Sequence, residues 1–172
     1  PMIPDAPTPE SDPLAPQALV EAWMRSGAPP RGDALRTAMH RLWRMDNQAR
    51  RRAYRETFTR RFGFAVPHPE AIAALAALSP LVEVAAGTGY LTALLRHAGA
   101  DAIASDLGDD RPYAFRVGAW CALERADAAE TVLAHPERTV LLSWPERTSW
   151  ATAAIDALAQ GQRLVLIGEE RG

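Results

Sequence analysis

The residues best suited to chemistry are two glycines and an acid that follows them. Gly87 and Gly89 come directly after the apolar run 81–85. Glycine is needed where the backbone turns sharply or where a ligand lies against it, because no Cβ interferes. Asp106 ends the next apolar run, nineteen residues after Gly87. A carboxylate at this place accepts hydrogen bonds from both ribose hydroxyls, so the spacing favours a nucleoside site.

The class of nucleoside depends on two neighbouring residues. The dinucleotide fingerprint requires a glycine or alanine three positions after the second glycine, and here that position is Thr92. Glu83 lies inside the strand before the loop, where a buried carboxylate is costly unless it is paired. A cationic ligand or nearby backbone donors would account for this acid. Both residues favour a ligand other than a dinucleotide.

The segment resembles motif I of class I S-adenosylmethionine-dependent methyltransferases, E-x-G-x-G-x-G. Glu83, Gly87 and Gly89 match the motif, and Asp106 matches the family's ribose-binding acid. The first glycine of the motif falls on Ala85. The resemblance covers about 100 residues, from position 69 onward. It implies S-adenosylmethionine as cofactor and S-adenosylhomocysteine as product, and it assigns to cofactor binding Glu83, Ala85, Ala86, Gly87, Thr88, Gly89, Tyr90, Asp106 and Asp127. The alternative is a tight strand–helix turn without a ligand.

Two of these residues have a second interpretation. In methyltransferases, a polar residue at the place of Asp127 often contacts the adenine amino group, but Asp is also a favoured helix N-cap. Tyr90 packs either against the methionine moiety of the cofactor or on the sheet.

The candidate catalytic residues are Ser143 and Trp144, which follow the fourth apolar strand. In the family this position faces the transferred methyl group. Amino-methylating members carry an acid, Asn or Ser followed by two prolines and an aromatic residue, and the segment 143–146 matches that pattern loosely. Trp144 stacks on substrate or cofactor under this hypothesis, whereas the alternative is simple packing at a strand end. Segments 141–145 and 164–169 also resemble an uncharacterised microbial methyltransferase-like group.

The elements that position these residues alternate between helix and strand. Strands are predicted at 81–85, 102–105, 119–123, 139–144 and 163–167, and helices at 69–78, 90–97, 127–135 and 148–159. Such alternation predicts a Rossmann-like α/β domain, with a mostly parallel sheet and helices on both faces. Class I domains usually have seven strands, so the C-terminal strands are expected to be missing. An unpaired sheet edge favours association, and hence a homodimer.

Three regions are predicted along the chain. Residues 1–16 are proline-rich and expected to be flexible, 17–66 form a helical appendage, and 67–172 form the cofactor-binding domain. Tyr54 and Phe58 share one stripe of the helix predicted over 47–62. They are the candidate substrate residues if the appendage is a lid or a substrate region.

The appendage also carries an unusual charge distribution. The chain has no lysine, and ten arginines against three acids lie between positions 31 and 61. Arginines bind phosphates well, so this excess favours a nucleic-acid partner. No nucleic-acid-binding motif accompanies it. A solvated helix face is the usual explanation of such an excess, and pairing with the acid-rich remainder of the chain is a further alternative.

Composition excludes several classes of protein. The single cysteine, Cys121, rules out an internal disulfide and a Cys-based zinc cluster, and the four histidines lack metal-ligand spacing, so no metal is expected. No apolar run is long enough to span a bilayer, and no signal peptide is visible, so a cytoplasmic protein without membrane contact is expected.

The sequence therefore predicts a methyltransferase that acts on a small molecule or a peptide. The alternatives are an RNA or other nucleic-acid methyltransferase that uses the arginine-rich helix, and a non-catalytic cofactor-binding pseudoenzyme. No residue stands out as a catalytic base, so the acceptor atom stays open.

Overall fold

The computed structural model describes residues 69–108, 119–145 and 149–168, together with residues 48, 59, 62–64 and 67. In these ranges four strands form one sheet: β1 (Leu81–Val84), β2 (Ala102–Ala104), β3 (Thr139–Ser143) and β4 (Leu164–Ile167). Their order is β2-β1-β3-β4, and all pairs are parallel. The chain order therefore reverses at β1, which is the arrangement of a Rossmann-like α/β fold. The predicted fold class is confirmed.

Four described helices cover the two faces of the sheet: α1 (Pro69–Ala76), α2 (Tyr90–His97), α3 (Ala128–Ala134) and α4 (Ser149–Asp156). Side chains alternate along β1. Leu81 packs in a cluster with α1 and α2, whereas Val82 and Val84 pack in a second cluster with α3 and α4. Strands buried on both faces are expected when crossover helices flank a parallel sheet.

The prediction of a strand at 119–123 is wrong. This segment is irregular, and pairing with β2 is limited to one isolated parallel bridge between Ser105 and Glu124. Two of its residues bond to the loop between β1 and α2. The amide of Trp120 donates to the carbonyl of Thr88, and the side chain of Cys121 contacts Gly89. Both contacts are made with residues 85–89, which we call the glycine loop, and not with β2.

A bidentate ion pair closes the amino end of the sheet. Arg138, just before β3, donates to both carboxylate oxygens of Asp101, just before β2, at 2.9 and 3.1 Å. The hydrogen bond from Arg138 is the main reason why the pKa of Asp101 is lowered. The same guanidinium reaches the carbonyl of Leu81 at 3.3 Å. Three strand starts are thus tied together, at the edge opposite the glycine-rich loop.

β4 ends the strand order, and its Leu166 is 62% exposed. The homodimer stays a prediction. None of the described helices is long and apolar enough to cross a membrane. Tyr54 and Phe58, the region 1–16 and nearly all of 17–66, including the arginines, lie outside the described residues.

Candidate nucleoside-binding site

The loop between β1 and α2 turns at three residues whose backbone is in the left-handed conformation. Ala85, Gly87 and Gly89 have φ angles of 52°, 58° and 71°. The amide of Ala86 donates to the carbonyl of Ser105 at 2.9 Å, and the amide of Gly89 donates to the carbonyl of Ala86 at 2.9 Å. The loop therefore lies against the end of β2, at the carboxyl edge of the sheet.

Asp106 is bonded directly to this loop. Its Oδ2 accepts the amide of Gly87 at 2.8 Å, and its Oδ1 accepts the amide of Gly108 at 2.9 Å. The two features that the sequence analysis singled out, the glycine loop and the acid nineteen residues later, are in contact. A Cβ placed on Gly87 would meet no atom within 4 Å. Glycine suits this position because it adopts a φ of 58° without strain and leaves the space beside the backbone open.

At Gly89 a glycine is needed because neighbouring side chains leave no room for a Cβ. A Cβ there would lie 2.7 Å from the Sγ of Cys121 and 3.0 Å from a methyl carbon of Leu123. Gly89 is buried, and its carbonyl accepts the thiol of Cys121 at 3.4 Å. Burial raises the pKa of that thiol. The second glycine therefore permits close packing inside the protein, whereas the first faces open space.

Ala85 occupies the motif position at which the methyltransferase family has a glycine. It is exposed, and its φ of 52° lies in the region that glycine adopts freely. A non-glycine residue in this region costs roughly 1–2 kcal/mol. Trp144, which follows β3 as Ala85 follows β1, has a similar φ of 55°. Two strained residues thus leave neighbouring strands at the same edge, and backbone strain of this kind clusters at functional sites.

Glu83 is buried beneath the loop and is paired. Its Oε2 accepts the amide of Thr92 at 3.0 Å and the hydroxyl of Thr92 at 2.6 Å. Burial raises the pKa of Glu83 to about 7, the hydrogen bonds from Thr92 act in the opposite direction, and the nearby charge of Asp106 raises it further. The sequence left two explanations for this buried acid, a cationic ligand or nearby donors. In the structure the two donors of Thr92 satisfy it. Glu83 is 4% exposed, and its bonds to Thr92 connect β1 to α2, the two elements that the loop joins.

Tyr90, the first residue of α2, lies in an aromatic cluster. Its ring meets Phe62 edge-on at 5.1 Å and Trp120 at 6.0 Å, and Phe62 stacks on Trp120 at 5.4 Å. Tyr90 is 1% exposed. Phe62 and Trp120 are not among the predicted site residues, and no local signal identifies them, because the three rings come from distant parts of the chain.

Three further predicted residues, Asp127, Ser143 and Trp144, lie at the same edge of the sheet. Asp127 is the N-cap of α3, and its carboxylate accepts the amide of Ala129 at 2.8 Å. The N-cap interpretation is confirmed, and the adenine contact stays a prediction.

Ser143 ends β3 half-buried, and the amide of Trp144 donates to the carbonyl of Ile167 at 2.6 Å. Val84 pairs with Leu142, the residue before Ser143, so Ser143 lies at the same end of the sheet as the glycine loop.

In the part of the chain that the structure describes, no group of three or more His, Cys, Asp or Glu could hold a metal ion. Comparison of the chain with known protein families, with curated proteins and with solved structures gives no match.

Proposed function

We propose that this chain binds S-adenosylmethionine at the glycine loop and is the cofactor-binding part of a class I methyltransferase that acts on a small molecule or a peptide. The hydrogen bond between Gly87 and Asp106 is the observation that supports the proposal most strongly. It joins the loop after β1 to the acid after β2, beside the point where the strand order reverses. Open parallel sheets bind nucleosides outside the carboxyl ends of their strands at this point.

The residues present fit a nucleoside. A carboxylate offers about four lone-pair directions, so a group that accepts from the backbone can also accept from a ribose. Asp106 is held by Gly87 and Gly108 in one orientation, which removes the cost of ordering it when a ligand binds. The space in front of Gly87 lets a ligand approach the backbone.

Thr92 supports S-adenosylmethionine over a dinucleotide. In the dinucleotide fingerprint the third small residue permits close packing of helix on strand. Here Thr92 is fully buried, and both its amide and its hydroxyl are bonded to Glu83. The helix is thus attached to β1 through a polar pair in place of a close apolar approach.

S-adenosylmethionine, when bound, supplies an activated methyl group, so the protein mainly binds and aligns the reactants. Asp106 and the glycine loop would hold the nucleoside. Ser143 and Trp144 lie at the end of the neighbouring strand and would orient the methyl acceptor. The hydroxyl of Ser143 can donate or accept a hydrogen bond. A base is needed only if the acceptor must lose a proton.

Isothermal titration calorimetry with S-adenosylmethionine, S-adenosylhomocysteine and NAD⁺ tests this proposal. We expect both sulfur nucleosides to bind with one site per chain and NAD⁺ to give no heat. Binding of NAD⁺ alone would overturn the proposal. A cofactor that binds without any methyl transfer to small-molecule or peptide acceptors would favour the pseudoenzyme. RNA binding with a steep salt dependence would favour the nucleic-acid enzyme.

A further inference from the structure

Residues 120–124, which we call the bracing segment, contact both halves of the candidate nucleoside site. At one end, the amide of Trp120 donates to the carbonyl of Thr88 at 2.9 Å, inside the glycine loop. At the other end, the amide of Glu124 donates to Ala104 at 2.9 Å, and the amide of Asp106 donates to the carbonyl of Glu124 at 3.0 Å. Five consecutive residues therefore span from the loop to the acid.

The ring of Trp120 fixes the loop end of the bracing segment. It packs against Tyr90, which directly follows the loop, and stacks on Phe62. Phe62 and Tyr90 are 4% and 1% exposed and Trp120 is half-buried, so the cluster is a largely buried apolar contact, separate from the two clusters that hold the sheet to its helices. Loss of this contact removes packing next to Thr88 and leaves the sheet core in place.

We propose that Trp120 is a positioning residue for the nucleoside site, which holds the glycine loop at hydrogen-bonding distance from Asp106 without touching the ligand. Glycine-rich backbone loses more conformational freedom on ordering than any other. A loop that is already ordered spares the ligand that cost, and affinity rises accordingly. The effect on a ligand rests on the proposed function, whereas the effect on the loop does not.

The test compares Trp120→Ala with Trp150→Ala. Trp150 is half-buried in the apolar cluster under α4, on the other face of the sheet, so its loss removes a similar ring away from the loop. Two quantities are measured well below the melting temperature of each variant. One is the affinity for S-adenosylhomocysteine by calorimetry, and the other is the hydrogen-exchange protection of the Gly87 amide by NMR. Trp120→Phe tests rescue by an aromatic ring.

We expect Trp120→Ala to weaken S-adenosylhomocysteine binding on the order of tenfold and to lower Gly87 protection, whereas Trp150→Ala changes neither and Trp120→Phe restores both. If Trp120→Ala does not fold, Trp120→Leu, which keeps most of the apolar volume, replaces it. Equal effects of the two alanine variants would show that Trp120 only stabilises the fold, and would overturn the proposal. If the wild type does not bind S-adenosylhomocysteine, the proposed function fails, and Gly87 protection alone decides the role of Trp120.

Discussion

Both donors of Thr92, its amide and its hydroxyl, are bonded to the same carboxylate oxygen of Glu83, at 3.0 and 2.6 Å. The pair joins the third residue of α2 to the third residue of β1 and is buried on both sides. It accounts for two anomalies of the sequence, an acid inside an apolar strand and a threonine where a dinucleotide-binding loop has a small residue. The pair stabilises the base of the glycine loop.

This pair predicts a pH-dependent stability. The pKa of Glu83 is raised to about 7 in the folded protein, from 4.5. Between these values the unfolded chain releases the proton first, so the free energy of unfolding falls as pH rises from about 4.5 to about 7. Glu83→Gln removes this contribution while its amide oxygen can still accept from Thr92. We expect the stability of Glu83→Gln relative to wild type to rise across that window, by on the order of 3 kcal/mol.

Urea denaturation at pH 4.5, 6 and 8 measures this difference. Glu70→Gln, at an exposed position in α1, is the matched control for the loss of one carboxyl group. A pH-independent difference for Glu83→Gln would contradict the assignment of a raised pKa to this carboxyl.

Ala85 predicts a stabilising substitution. Its φ of 52° costs an alanine strain that a glycine does not feel. Ala85→Gly relieves this strain but adds freedom to the unfolded chain, so the net gain is about 1 kcal/mol. Chemical denaturation measures it. Ala98→Gly, at a position with a φ of −81°, offers no strain to relieve and should destabilise. A loss of stability in Ala85→Gly would refute the strained conformation.

Gly89 predicts a steric conflict with an identified partner. Gly89→Ala brings a methyl group to 2.7 Å from the Sγ of Cys121 and adds strain at a φ of 71°. We expect a loss of about 2–4 kcal/mol. Cys121→Ala removes the closest atom, so Gly89→Ala should cost about 1 kcal/mol less in that background. Additive effects in this double-mutant cycle would show that the two side chains do not meet.

Most of the fold in the described residues, and the proximity of the glycine loop to Asp106, were predictable from the sequence. Strand–glycine–helix order, the position of Asp106 and the span of α2 from Tyr90 to His97 follow from periodicity and from breaker residues, which act locally. The region 119–123 was not predictable, since its apolar residues suit a strand. Its Trp120 amide and Cys121 thiol bond to the carbonyls of Thr88 and Gly89, partners that only the tertiary structure brings near. The cluster of Phe62, Tyr90 and Trp120 was missed for the same reason.

Asp127 allows its two interpretations to be separated. Asp127→Ala removes the N-cap of α3 and should lower the free energy of unfolding by about 1 kcal/mol. Asp127→Ser keeps a capping oxygen but removes the carboxylate, so stability should be close to wild type. Thermal denaturation measures the first effect. Calorimetry with S-adenosylhomocysteine shows whether Asp127→Ser also loses affinity, as an adenine contact requires. A serine variant as unstable as the alanine variant would contradict the capping role.

The affinity of Asp106→Asn for S-adenosylhomocysteine tests the central claim most directly. The asparagine loses the charge and one acceptor oxygen, and its amide group meets the amide of Gly108 as a second donor. Asp156→Asn, exposed at the end of α4, is the control. We expect wild type and Asp156→Asn to bind equally, and Asp106→Asn to bind on the order of tenfold or more weakly while it stays folded. Wild-type affinity in Asp106→Asn, or no binding by wild type and by Ala85→Gly alike, would contradict a nucleoside site at this loop.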